Sequence, residues 1–123
     1  MSYIDGYVIA VPLANKDKFL AAAKHFDQML IDAGALRVME CWGDDLKHGK
    51  QTDFFRAVEA TDEETVAFSW VEWPDKETRD DAHAKMEAAM AAGEFDMGDE
   101  PMPFDGKRMI FGGFAPILEL GGE

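Results

Sequence analysis

The chain has 123 residues and a formal net charge of −13, from 25 acidic against 12 basic side chains. That length fits one domain, residues 1–123, able to bury roughly two thirds of its unfolded surface without covalent staples. The charge argues against nucleic acid and against an anionic membrane as partners, because both need a basic surface that displaces counterions.

The lone cysteine, Cys41, excludes an intramolecular disulfide and any multi-cysteine zinc site, and a cytoplasmic location is the default that follows. The first residues, MSYIDGYVIAVP, lack a cationic stretch and carry Asp5, so they do not read as a secretory signal. No apolar run approaches the ~20 residues of a membrane span.

Tyr3 to Val11 predicts a strand that is largely apolar on both faces, ended by Pro12. Asn15 is placed as the N-cap of a helix whose stripe is Phe19, Ala22, Ala23, Phe26, Met29, Leu30 and Ala33, with Lys16, Lys18, Lys24, Asp27 and Asp32 mainly off it. Gly34 supplies the stop. The stretch ALRVMECWGDD then predicts a strand in which period-2 alternation sets Glu40 between Val38 and Trp42 on the more apolar face.

A polar loop leads to Phe54–Ala60, read as a short strand or an irregular approach to one, and Thr65–Trp73 predicts a central strand ended by Pro74. Asp75 caps a second helix from Lys76, with Ala82, Met86, Ala89 and Met90 as its stripe and Gly93 as its end. Glu94–Pro103 is expected to be an exposed loop. Gly106–Ile117 supplies the last strand, where Gly112-Gly113 marks a bulge or a close backbone approach.

This order predicts a ferredoxin-like α+β sandwich: a four-stranded antiparallel sheet with two helices on one face. Strands apolar on both sides, such as Val66, Phe68 and Trp70 opposite Ala67, Val71 and Trp73, need cover on the second face too. A homodimer packed sheet against sheet is the simplest cover.

The segments YIDGYVIAVP, GALRVMECWGDD, TDFFRAV, FSWVEWP and MPFDGKRMIFGGF together resemble the YbaA-like family of small bacterial proteins, a domain of unknown function. The resemblance runs along nearly the whole chain and implies a dimeric α+β barrel. It implies no reaction. Some members of that family carry names tied to signal-recognition-particle RNA, an association that the charge of this chain opposes.

Glu40 and Glu72 are the candidate catalytic residues, each on a strand beside a tryptophan. A carboxyl among aromatic rings loses hydration, which is how a general acid or base is tuned. The alternative role is an ion pair with Arg37, Arg56 or Arg108. Trp42, Arg56, Trp70, Trp73 and Arg108 are the candidate ligand-binding residues: the rings for an apolar ligand in a cavity also lined by Tyr3, Tyr7 and Phe111, the guanidinium forks for an anionic group. Met86, Met90, Met97 and Met102 offer a soft contact surface or plain core.

Cys41 reads as a buried thiol. His25, His48 and His83 show no ligand spacing, so no metal is expected, and without phosphate-cradling glycine motifs no cofactor is expected. The functional expectation is a protein that binds a small apolar or aromatic molecule, with acid–base chemistry at a glutamate. The rival is a non-catalytic dimeric interaction module with an acidic surface.

Overall fold

The computed structural model describes residues 2–93 and 102–121. Tyr3–Pro12 (β1), Arg37–Trp42 (β2), Glu64–Trp73 (β3) and Ile110–Phe114 (β4) form one antiparallel sheet in the order β2-β3-β1-β4. The helices are Lys16–Asp32 (α1), the single turn Phe54–Ala57 (α2) and Lys76–Ala91 (α3). Register decides which residues share a face. Tyr3 lies opposite Trp73, Tyr7 opposite Ser69 and Ile9 opposite Ala67, while Glu40 lies opposite Ser69 and Trp42 opposite Ala67. The face so defined is the one that α1 and α3 cover, where Leu30 and Ala82 pack on Val71 and Trp73, and Phe19 packs on Ile9, Val11 and Ala67.

The helix ends follow local chemistry. Asp75 accepts a hydrogen bond from the Thr78 backbone N–H at 2.7 Å and so caps α3. Asn15 stands at the N-cap of α1, but its side chain does not cap. Its amide nitrogen donates to the Pro103 carbonyl at 2.9 Å, tying the start of the helix to the segment before β4. Gly34 turns the chain out of α1 with φ of +117°, a conformation that side chains resist.

Two segments differ from expectation, Phe54–Ala60, read as a short strand or an irregular approach to one, and the last strand. Phe54–Ala57 is helical because Asp53 accepts from the Arg56 backbone N–H at 2.8 Å and closes a capped turn. Gly106–Arg108 forms a 3₁₀ turn, with the Asp105 side chain accepting from the Lys107 N–H at its start, so the last strand is Ile110–Phe114. The expected loop Glu94–Pro103 falls mostly outside the described residues, as does Met97. At its far end, Pro103 is buried.

The second face of the sheet is covered at one end by the chain itself. Leu46, Phe55, Val58 and Ala60 pack on Val8, Ala10 and Val66. Among the described residues the other end is bare: Phe68, Ile110 and Phe114 are 43%, 46% and 61% exposed.

Candidate functional site

Between the helices and the sheet lies a cavity of about 530 Å³. α1 lines it with Phe19, Ala22, Ala23, Phe26, Asp27 and Leu30, and α3 with His83, Met86, Glu87 and Met90. The floor is Tyr7 and Ile9 of β1, Glu40 of β2, and Ser69 and Val71 of β3; Met102, Phe104, Met109 and Phe111 close one side. Space remains here because α1 presents the small Ala22 and Ala23, and because Ala82 is the one fully buried residue of α3.

The polar centre of the cavity is a carboxyl pair. Glu40 reaches it from β2 and accepts a hydrogen bond from the Ser69 hydroxyl directly across on β3. Asp27 comes from the opposite wall on α1 and hydrogen-bonds Glu40. Burial, then that hydrogen bond, then the nearby negative charge push the Asp27 carboxyl up to about 8. At neutral pH the pair therefore shares one proton, as two adjacent carboxyls require. The Tyr7 hydroxyl, also in the lining, is pushed up to about 12, by burial first and by Asp5 next, so it stays a donor.

A second buried cluster adjoins the cavity through His83. Asp5 on β1 is 2% exposed and accepts from Arg79 Nη2 at 2.8 Å, Arg79 Nε at 3.1 Å and the Trp73 indole N–H at 2.9 Å. His83 Nε2 lies 3.1 Å from the same carboxylate. The hydrogen bonds to Asp5 raise Arg79 further above its ordinary range. Gly113 on β4 is required alongside, since a Cβ there would meet the Tyr3 ring and hydroxyl and fall 2.9 Å from Arg79 Nη2. The Gly112-Gly113 expectation of a close approach is met by those side chains.

The residues singled out from sequence scatter. Glu72 is on the opposite face from Glu40, where it accepts from the Trp70 indole N–H at 2.9 Å and sits 3.5 Å from Arg37 Nε. The two glutamates do not meet. Trp42 packs on Phe19 in the core with the Lys16 ammonium over its ring, and Trp70 lies on the second face against Phe68. Trp73 is wholly buried as the Asp5 donor. None of these three tryptophans lines the cavity, nor does Tyr3, whereas Tyr7 and Phe111 do.

Arg56 sits on α2, 3.8 Å from Asp53, with its side chain donating to the Lys50 carbonyl. Arg108 forks onto both Glu64 oxygens at 2.8 Å and also reaches Asp105 and the Glu59 carbonyl. That fork holds the Glu64 carboxyl down to about 2. Cys41 is half-buried on the second face, opposite Phe68. Among the described residues, no group of three or more His, Cys, Asp or Glu side chains is arranged to hold a metal ion.

Asp27 and Asp5 were not on the sequence-derived list. Both carried a signal. Asp27 follows Ala23 by four residues and precedes Leu30 by three, the spacing of the stripe from which it was excluded. Asp5 alternates with Tyr3, Tyr7 and Ile9 on one strand face, the same anomaly that exposed Glu40.

A four-stranded antiparallel sheet in the order β2-β3-β1-β4, with two long helices on one face and a cavity beneath them, defines a ferredoxin-like α+β protein. A crystal structure of a dimeric ferredoxin-like protein from an uncultured marine organism superposes with a TM-score of 0.50 at 13% identity, covering 98% of this chain and 100% of that one. The chain belongs to the family described as Protein of unknown function (DUF1428), whose model matches residues 2–106. Relatives described as Uncharacterized protein YbaA, from Escherichia coli K12 and Shigella flexneri, are 48% identical over 119 residues, covering 97% of this chain and 99% of theirs. No helix among the described residues is long and apolar enough to cross a membrane.

Proposed function

We propose that the protein binds a small, largely apolar molecule in the cavity between helices and sheet, and that the Asp27–Glu40 pair exchanges a proton with it. One observation carries this reading: a ligand-sized space in an otherwise apolar setting has a hydrogen-bonded carboxyl pair in its wall. A general acid needs a proton held near neutral pH, and burial of Asp27 against Glu40 favours one there. Glu40, oriented by Ser69, is the acceptor through which that proton is shared. Glu72, paired with Arg37 and Trp70 on the other face, is given no part in this chemistry.

The test is calorimetric titration with apolar fragments against the native chain and an Ala23→Phe variant that fills the cavity. Binding to the native chain and its loss in the variant are expected. No binding to either would refute the reading. The rival, a non-catalytic interaction module, calls for a core filled by its own side chains, which the cavity disfavours.

A second observation supports self-association. The bare end of the second sheet face presents Phe68, Ile110 and Phe114, and the structural neighbour is described as dimeric. Two copies packed through this face would bury those side chains and complete a barrel of two sheets. Light scattering should give twice the chain mass, and Phe68→Glu should give the monomer. A native chain that is monomeric at micromolar concentration overturns this part.

A further inference from the structure

Three carboxyl groups line the cavity, Asp27, Glu40 and Glu87, and among the described residues no lysine or arginine does. The one imidazole of the lining, His83, lies 3.1 Å from the Asp5 carboxylate. The Arg79 guanidinium beside His83 is committed to Asp5 and Asp80, and the Lys16 ammonium is held over Trp42. An anionic ligand would add negative charge to a largely apolar space beside carboxyls, with no lysine or arginine to meet it. A neutral ligand would gain nothing from the pair beyond a hydrogen bond.

We propose that this cavity selects an organic amine, an apolar body bearing one ammonium group seated against Asp27 and Glu40. This rests on the ligand-binding reading above and deepens it. The ammonium takes the place of the proton that now bridges the two carboxyls, so both become acceptors for its N–H donors. The Asp27 O–H bond breaks, its electron pair stays on the carboxylate, and the proton passes to the solvent. Tyr7, Phe26 and Phe111 make the lining aromatic, a setting that suits a cation, and the net charge of −13 steers cations toward the protein.

Binding is thereby linked to pH. The titratable groups facing Asp27 are Glu40 from β2, Tyr7 from β1, and His83 and Glu87 from α3. Asp5 stands behind His83 and is matched by Arg79. Because occupancy expels the Asp27 proton, affinity for an amine rises with pH until that carboxyl ionises unaided, near pH 8.

The experiment is isothermal titration of the native chain with naphthylmethylamine, naphthalenemethanol and naphthoate, three probes that share one ring system and differ in charge. Each is measured near neutral pH in two buffers of different ionisation enthalpy. The amine should bind about tenfold tighter than the alcohol or better, with the naphthoate weakest. The amine alone should release about one proton, and Asp27→Asn should bind it without that release. Glu40→Gln should lose the preference for amine over alcohol.

Equal affinity for amine and alcohol, or amine binding without proton release, overturns the amine assignment and leaves the cavity reading standing. Amine binding that persists in Ala23→Phe places the cation elsewhere and also overturns it. Failure of all three probes overturns both readings.

Discussion

Removing the Asp5 carboxylate should be the most damaging conservative change in the chain. Asp5 is 2% exposed and is the shared acceptor for Arg79 and the Trp73 indole, with His83 alongside. Asp5→Ala leaves an Arg79 side chain that is only 17% exposed with no partner but the half-exposed Asp80, and leaves the wholly buried Trp73 N–H without an acceptor. Orphaning one member of a buried ion pair costs about 3–5 kcal/mol, part of which is the unsatisfied donor.

With an unfolding entropy of about 2.1 cal/mol/K per residue, that cost lowers the melting temperature of a chain this long by roughly 12–19 °C. It is a large share of a total stability of about 5–15 kcal/mol. Urea denaturation and calorimetry of Asp5→Ala and Asp5→Asn, compared with the double change Asp5→Leu/Arg79→Met, measure it. The double variant should recover much of the loss because no charge is orphaned. A loss of less than about 1 kcal/mol in Asp5→Ala would refute the argument that this carboxylate organises the cluster.

Three further outcomes follow from the same reasoning. Asp27 keeps its proton in the folded chain up to about pH 8 but loses it near 3.8 when unfolded, so folding takes up a proton across that window and stability falls as pH rises through it. Asp27→Asn removes that dependence; after discounting for a half-buried group, it should be more stable than the native chain by ~1–2 kcal/mol at alkaline pH in urea titrations.

Glu64 has the opposite sign. Its contribution is present above the unfolded value of 4.5 and is lost as pH falls toward about 2, so Arg108→Met should flatten acid unfolding in that range when followed by circular dichroism. Gly34→Ala meets both the positive φ and Thr78 Cγ2 at 2.8 Å, and should cost about 1–3 kcal/mol in thermal melts.

Much of the fold can be read from spacing alone. Period-2 alternation places β1, β2 and β3, the stripe through Phe19, Phe26 and Leu30 places α1, and Asp75 marks the start of α3. Those signals are local, and local chemistry decides them. The site is less legible because register and helix rotation are not local. Glu40 and Glu72 look alike in sequence. The pairing of Arg37 with Glu72 and Glu40 with Ser69 sends one toward the helices and the other to the far face.

Asp27 sits at the margin of a helical stripe, where polarity argues for solvent and spacing argues for the core. Its partner, Glu40, lies across the interior on another element, and no pattern within α1 announces it. The aromatic residues of Phe54–Ala60 suit a short strand or an irregular approach to one, while the Asp53 cap three residues before Arg56 decides for a helical turn over Phe54–Ala57.

The order β2-β3-β1-β4 has a consequence for how the chain is made. Of the four strands β1 leaves the ribosome earliest, yet its two sheet neighbours are β3, beginning at Glu64, and β4, beginning at Ile110. Until Glu64–Trp73 is synthesised, the apolar run Tyr7–Val11 has unpaired backbone on both edges, and α1 gives it at most one covered side. Pairings this distant in sequence slow folding, because loop closure precedes the contacts that reward it. The interval between the first strand and the third is therefore the time in which the nascent chain is most open to aggregation or to a chaperone.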